Sequence, residues 1–587
     1  MKRFLLLQAI MMMCAVLLYA RRVDISVGGS MYCVEDDSNA YYMGEENSEQ
    51  TTVTVLEDVA YNGNYYTVVG FRDPYVWYSK PSIENIVELH LPCTIKNDDF
   101  NIKFLREKGK KLAAVYVDEY KSELVSLGGA MYSADMKTLL FIPPMHTGTL
   151  TVPETVTKLD AECGVGAHIT DISLPDGLLS IGDNALYGSL IRHLFIPDKT
   201  SIGSLGSLPE LELLSFGNSV KSIPYTTLGK CDKLREVRIP SSVTSIATSV
   251  FDMSPSLVAV TVDDSNPNYK SVDGVLYDKD VSDIQYVPKG IVEYTAPPSL
   301  NSIKSLAFKN RTKLRAVDFS ESAIYAIGDE AFYDCKNLAY INTGNKLTEL
   351  GVRAFGIKAY DKSNASREVI LSENLTVLPA YAFSNNIIRS LSMGNKIVSI
   401  NEGAFYGCNM SDLQDIYIPY SVETIRDYAF CYLKANNNQF SRIYLGDKVK
   451  KIGDHAFDIK CDVKEFYCAA AVPPECNEAA FSSEMYAYPT LYVPEVNVYK
   501  SASPWGYFIK TKYYDFSGVE EVADGGEEFS VSCVGGELRV ECADGTAVTV
   551  WSADGREAYS GTGSCAVALP RGIYIVRAGS STRKVMM

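Results

Sequence analysis

One phenylalanine, set directly behind an alanine, returns through the second half of this chain. Phe308, Phe332, Phe355, Phe383, Phe405, Phe430, Phe457 and Phe481 recur at intervals of 24, 23, 28, 22, 25, 27 and 24 residues. The fullest copy reads Ala326-Ile327-Gly328-Asp329-Glu330-Ala331-Phe332-Tyr333-Asp334-Cys335, with an aliphatic residue four places before the alanine. Self-similarity at this period is the signature of a solenoid, whose repeats bury their apolar faces only against one another. That also reconciles 587 residues with the size limit on a single core. These eight phenylalanines are the expected repeat core. Burying each is worth roughly 1.5–3 kcal/mol.

A second phrase precedes the first in most repeats: aliphatic, any residue, aliphatic, often closed by proline. Ile172-Ser173-Leu174-Pro175, Val237-Arg238-Ile239-Pro240 and Ile416-Tyr417-Ile418-Pro419 are examples. Alternation sends the aliphatic residues inward and the middle residue outward. Proline, lacking a backbone donor, ends the strand. The expected fold is therefore a β-rich solenoid of short parallel strands joined by turns or short helices. One helical turn would set Ile327 and Ala331 on the same face. The Ala-Phe phrase is missing around Ile202–Leu205 and Ile223–Leu228, so regular stacking is not assured there.

Before the regular repeats, residues 23–125 read as irregular strands, with an Asn62-Gly63 hairpin turn and degenerate repeats from Leu89-His90-Leu91-Pro92. Gly129-Ala130-Met131-Tyr132 with Leu139–Pro143 matches Gly274-Val275-Leu276-Tyr277 with Ile284–Pro288, and both read as inserted hairpins. After Ser517 an acidic, glycine-bearing stretch leads into Phe529–Val534 and Glu537–Cys542. Folded about Gly535-Gly536, these strands pair Cys533 with Leu538, Val531 with Val540 and Phe529 with Cys542, all on one face. A small antiparallel β-sandwich fits residues 516–587. The expected organisation is a signal peptide at 1–20, a β cap with degenerate repeats at 21–125, the solenoid at 126–515 and this last domain.

The Ala-Phe-x-x-Cys phrase, the Ile-Pro strand ends and the insertion Asn266-Pro267-Asn268-Tyr269…Asp273-Gly274-Val275-Leu276-Tyr277 resemble the BspA-type leucine-rich repeat surface proteins of bacteria. The closing run from Pro473-Pro474 through Leu491-Tyr492-Val493-Pro494 to Trp505 is similar too. The resemblance implies a right-handed, leucine-rich-repeat-like stack outside the cell, used in adhesion or ligand binding and without catalytic residues. The final domain resembles the C-terminal sorting domain of the type IX secretion pathway, through Leu569-Pro570-Arg571-Gly572-Ile573-Tyr574-Ile575-Val576 and a basic last strand. That resemblance implies a partner in the secretion machinery. A plain accessory domain is the alternative.

The ends agree with an exported protein. Lys2-Arg3 followed by a nearly all-apolar Phe4–Ala20 has the layout of a signal peptide, with an anchoring helix as the other reading. No later stretch has the roughly 20 apolar residues needed to span a bilayer. The 72 acidic residues outnumber 55 basic ones, and no basic stripe appears, which argues against a nucleic-acid partner. Cys231, Cys335 and Cys408 share one slot and read as small buried residues. Cys461, Cys468 and Cys476 are close enough to bridge, with no pairing assignable.

Catalytic and metal motifs are missing. There is no HExxH, GxSxG, Walker A or GxGxxG, and the five histidines show no ligand spacing. Asp263-Asp264-Ser265-Asn266 lacks the alternate oxygens of a calcium loop and reads as a turn. No cofactor and no enzyme activity are expected. What remains is a non-enzymatic surface or secreted protein that binds a protein or glycan, or a structural surface-layer protein whose repeats act as a spacer.

The outward middle residues place the candidate site. They run Ser173, Phe195, Ser215, Arg238, Thr261, later Asp318, Asn342, Ile370, Ser392, and then Tyr417, Tyr444, Tyr467 and Tyr492. Four tyrosines on neighbouring strands would form a row roughly 14 Å long. Tyrosine suits interfaces, but it also stabilises strand ladders by cross-strand packing. If the row binds ligand, changing Tyr444 and Tyr467 to Ser should weaken adhesion and leave the melting temperature nearly unmoved.

Overall fold

Backbone hydrogen bonds that run from repeat to repeat fall into three sets, two of strands and one of turns. The computed structural model describes residues 22–586 except 36–37, 48, 74–80, 119, 121, 360, 411, 414, 435–438, 460–461, 517–528, 535–536, 553–556, 570–572 and 580. The signal-like segment, the acidic stretch 518–528 and the turns at Gly535-Gly536 and Asp554-Gly555 lie outside the described residues. The chain forms two compact units, divided between Ile291 and Val292.

In the first unit a five-stranded sheet runs Val23–Val27, Ser30–Val34, Asn39–Glu45, Asn64–Phe71, Asp58–Tyr61 in spatial order. Asn62 and Gly63 turn its hairpin with φ of 50° and 81°, as a type I′ turn requires. Three parallel strands follow, pairing Val53, Leu89 and Val115 in register. One apolar cluster runs from Tyr32 in the sheet to Phe141 in the first hairpin. Each expected hairpin is a three-stranded antiparallel unit, at 124–141 and 269–286. The first is more than an insertion. Its last strand, Thr138–Phe141, pairs in parallel with Lys158–Leu159 and so starts a ladder of two-residue strands.

Two ladders then advance together. In the first unit the long strands Gly148–Thr151, Ile169–Ser173, His193–Ile196, Leu213–Phe216, Glu236–Ile239 and Ala259–Val262 form one parallel sheet. The short strands, such as Ser180–Ile181, form the other. The second unit repeats the arrangement with long strands from Glu293–Thr295 onward and short strands from Ser302–Ile303 onward.

The third set belongs to the Ala-Phe phrase. The N–H of Phe332 donates to the Ala354 carbonyl at 2.8 Å, and that of Phe405 to Ala429 at 2.8 Å; all seven successive repeats from Phe308 to Phe457 make this bond. The phrase is a run of turns, not the helical turn expected for Ile327 and Ala331. Glu330 and Asp334 have φ of 52° and 60°, and Tyr381, Asn385, Tyr428 and Tyr432 repeat the pattern. Left-handed residues on both sides of the phenylalanine are incompatible with an α-helix. A helix would also spend the Phe N–H inside its own repeat.

The eight phenylalanines stack as expected. Successive ring centroids from Phe308 to Phe481 lie 4.5–5.8 Å apart, with interplanar angles of 8–22°. All are buried. Cys335 and Cys408 do more than fill space: their thiols donate to the carbonyls of Phe308 (3.0 Å) and Phe383 (2.9 Å), one repeat back.

Within the two units the short ladder breaks twice, after Ser201–Ile202 in the first and after Glu349–Leu350 in the second. Elsewhere the residue following each short strand donates to the previous repeat, as Gly182 does to Leu159, Gly203 to Ile181, Gly351 to Ile327 and Asn401 to Leu378. At the two breaks that residue is Pro224 or Pro379, which has no N–H to give. The lapse in the Ala-Phe phrase therefore costs less order than the sequence implied. The long ladder crosses it unbroken, and Leu205 and Leu228 are buried.

The last domain has two antiparallel sheets. One holds Phe529–Val534, Glu537–Cys542 and Cys565–Ala568; the other holds Glu557–Thr562, Ala547–Ser552, Ile573–Ala578 and Ser581–Met586. The pairs Cys533–Leu538, Val531–Val540 and Phe529–Cys542 are those expected. Phe529, Leu538 and Val540 share one core with Val548, Val550, Tyr574 and Val576.

Two measurements probe these rungs. Phe405→Ala removes a buried ring between Phe383 and Phe430 and should cost about 3–5 kcal/mol in urea unfolding. In Pro224→Ala the new amide occupies the position of the Gly203 donor. Hydrogen exchange should find it protected; exchange at the rate of a free amide would mean that the turn, not the missing donor, opens the ladder.

Candidate functional site

The long strands that carry the tyrosines are Asp415–Tyr417, Gln439–Leu445, Asp462–Cys468 and Thr490–Val493, closed at the edge by Lys510–Tyr513. Their registers pair Tyr417 with Tyr444, Tyr444 with Tyr467, and Tyr467 with Tyr492. The rings stack face to face at centroid distances of 4.6, 4.5 and 4.7 Å, with interplanar angles of 5°, 18° and 13°. This is the expected row, at the expected length.

The row is less open than its outward position implied. Tyr467 is only 8% exposed, and Tyr417, Tyr444 and Tyr492 are half-buried. Tyr514, just beyond the edge strand, sets its ring edge-on against Tyr467 at 5.1 Å and Tyr492 at 6.0 Å. Stacking occupies both faces of the inner rings, so ring edges and hydroxyls are what the row offers. Burial raises the Tyr417, Tyr444 and Tyr467 phenols above the usual range.

A charged row lies two residues back on the same strands, in the register Asp415, Arg442, Glu465, Thr490, Lys510. The Arg442 guanidinium donates to Asp415 and to the Tyr444 hydroxyl, both at 3.2 Å. Tyr417 donates to Asp415 at 3.2 Å and Tyr467 to Glu465 at 3.0 Å. The phenols are thus locked in orientation by neighbouring charges. Period-two alternation would have found this second row. Nothing in the repeat signals Tyr514.

The other outward residues form registered rows without a shared chemistry. Phe195, Ser215, Arg238 and Thr261 are neighbours, as are Asp318, Asn342, Ile370 and Ser392. His455 stacks on Tyr428 at 5.1 Å. Asp263 and Asn266 make the expected turn: Asp263 accepts the Ser265 N–H, and the buried Asn266 amide donates to the Pro240 and Val243 carbonyls. Among the described residues, no cluster of His, Cys, Asp and Glu is arranged to hold a metal. Cys468 and Cys476 are free thiols, and Cys461 lies outside the described residues.

A buried cation went unseen in the sequence. Arg367 is 1% exposed and donates to the carbonyls of Phe355 (3.2 Å) and Cys335 (2.8 Å). Burial pulls its guanidinium down to about 10. It serves the repeat with the 28-residue spacing, whose slot three after the phenylalanine is the exposed Lys358.

Solved structures similar to this chain include the pneumococcal vaccine antigen PcpA, at 15% identity over 82% of this chain and 96% of the other, with a TM-score of 0.26. A leucine-rich cell surface protein from Faecalibacterium prausnitzii matches at 17% identity over 84% and 98%, with a TM-score of 0.22. A leucine-rich repeat protein from Bacteroides ovatus matches at 16% over 81% and 100%, with a TM-score of 0.31. No curated protein matches. The BspA type leucine rich repeat region matches in six copies, over residues 145–258, 287–358 and 356–485. These matches cover more than half of the chain and contain the Ala-Phe turns and the first three tyrosine-bearing strands. The chain belongs to the BspA-type leucine-rich repeat family.

Proposed function

We propose that this protein is a non-enzymatic binding protein of the cell surface or extracellular space, adhesin-like, whose ligand contacts the tyrosine-bearing strand face. Family membership fits a surface protein-interaction role. The observation that carries the proposal is the shelf of stacked tyrosines beside Asp415, Arg442, Glu465 and Lys510. A sugar ring stacks on an aromatic face, and the inner faces here are occupied. Ring edges, oriented hydroxyls and alternating charges suit a protein partner better. Between the two ligand classes left open by the sequence, the geometry favours protein over glycan.

The spacer reading keeps one supporting observation. Stacking and the cover by Tyr514 give the row a packing role of its own, strongest at Tyr467. This revises the test. Changing Tyr444 and Tyr467 together removes three stacking contacts, each worth about 0.5–1.5 kcal/mol, so the melting temperature falls with or without a ligand role. Tyr417→Ser, at the end of the row, and Lys512→Ala, beside Tyr492 on the edge strand, separate the two readings. Both should leave the thermal midpoint within about 4 °C, the shift expected for roughly 1 kcal/mol. Both should weaken capture on a matrix-protein array; unchanged capture by both variants makes the row structural.

The final pair of sheets is read as a β-sandwich that addresses the chain to type IX secretion, after export by residues 1–20. Fractionation of cells carrying the full chain or a form ending at Ser517 should place the first at the surface and deny it to the second. Equal surface delivery removes the sorting role, and an entirely cytoplasmic full chain removes the address.

A further inference from the structure

The Ala-Phe turns carry a second aromatic surface, separate from the strand face. Tyr381, Tyr406 and Tyr432 contact edge-to-face at 6.4 and 5.5 Å across three successive repeats. Tyr428 and Tyr432 are exposed, and Tyr381 and Tyr406 are half-exposed. Room is made for this patch by the backbone: a Cβ on Gly403 would collide with the Tyr381 ring.

Carboxylates run beside the rings, three residues before each phenylalanine. Glu402, Asp427 and Asp454 are exposed, and the bonds from Gly403 to Asp427 and from Tyr428 to Asp454 bring them together on neighbouring rungs. Among the described residues, no lysine or arginine pairs with any of the three. Tyr381 donates to Glu402 at 2.6 Å, which raises its phenol to about 12.

The preceding repeats show what such a surface accepts. There the chain supplies its own cations. Lys309 lies 5.3 Å from the Tyr333 ring centre and 2.6 Å from Glu330. Arg353 lies 5.3 Å from the Tyr381 ring centre and 3.7 Å from the same Glu330. Ring and carboxylate together hold a cation in each case. In the next repeats rings and carboxylates continue: His455 stacks on Tyr428 and Asn477 donates to Asp454, while among the described residues no lysine or arginine takes the place of Lys309 or Arg353.

We propose that this turn face, over the Tyr406 and Tyr432 rings and beside Glu402, Asp427 and Asp454, is a docking surface for a basic segment of a partner protein. Its lysine or arginine side chains take the places that Lys309 and Arg353 fill upstream, over a tyrosine ring and beside a carboxylate. Arginine suits both contacts, because its planar guanidinium stacks on rings and forks to carboxylates.

The test uses the full chain and two blocked heptapeptides, Arg-Gly-Arg-Gly-Arg-Gly-Arg and its glutamate counterpart, titrated by calorimetry. The arginine peptide should bind and the glutamate peptide should not. Glu402→Gln/Asp427→Asn/Asp454→Asn should weaken binding about tenfold, and Tyr406→Leu/Tyr432→Leu by a similar factor. Because the chain carries a net charge of -17, a control is needed for unspecific attraction. Asp176→Asn/Asp264→Asn/Asp280→Asn, at exposed positions elsewhere, changes the charge equally and should bind like the unaltered chain. Failure of the arginine peptide to bind, an equal loss in the control, or full affinity in the tyrosine variant each overturns the proposal. If the acid variant unfolds, because Asp427 holds the Asp454 N–H at 2.9 Å, the tyrosine variant alone decides.

Discussion

The bond from each phenylalanine N–H to the alanine carbonyl of the next repeat is the constraint on which the second unit depends. It sets the separation of neighbouring repeats at the one point where each buries its largest ring. Phenylalanine fills the interior, and alanine lets the next backbone approach. The geometry places a left-handed residue two positions before each of these phenylalanines, a conformation that non-glycine residues adopt rarely. Glu330, Arg353, Tyr381, Tyr428 and His455 accept that conformation. Repetition makes the cost bearable, since every strained residue sits between two rungs of the same kind, and the stacked rings tolerate no local escape.

The second ladder is weaker, and proline shows why. Two-residue strands contribute few rungs each, so losing one donor at Pro224 or Pro379 is enough to divide the ladder. The long strands pair across the first of these positions without interruption. At the second they do the same, from Tyr340–Asn342 through Ser366–Ile370 to Ile387–Ser392. Proline after a long strand is harmless because the strand is ending anyway. The same residue after a short strand removes a rung. One residue type therefore marks two different events, depending on which strand it follows.

Much of this was legible beforehand, and the reason is periodicity. The phenylalanine spacing, the outward rows and the pairing of Cys533 with Leu538 follow from counting residues on a lattice with fixed steps. What stayed hidden depends on contacts off that lattice. Turns won over a helix at Ile327–Ala331 because the Phe N–H is needed by the neighbouring repeat. Arg367 entered the core from the start of the strand Ser366–Ile370, which follows a loop of irregular length. Tyr514 covers Tyr467 from beyond the last regular strand, where no repeat remains to predict it. The charged row behind the tyrosines obeys the alternation rule and was readable from it.

The cysteine slot shows how packing and chemistry become one requirement. In three repeats the carbonyl of the phenylalanine faces the following repeat's slot, and a buried carbonyl needs a donor. Cys335 and Cys408 answer with thiols, and Asn386 answers with its amide to Phe355 at 3.0 Å. Arg367 of the strand Ser366–Ile370 reaches the same Phe355 carbonyl, and the Cys335 carbonyl as well. In these three repeats the slot holds a small donor, which need not be sulfur. Burial pushes the Cys335 and Cys408 thiols up to about 12, far from the thiolate that attacks disulfides. Such thiols stay free in an oxidising compartment because neither their ionisation nor their access favours exchange. Free cysteines in the repeats are therefore compatible with a chain addressed for export, and their number is no argument for a cytoplasmic home.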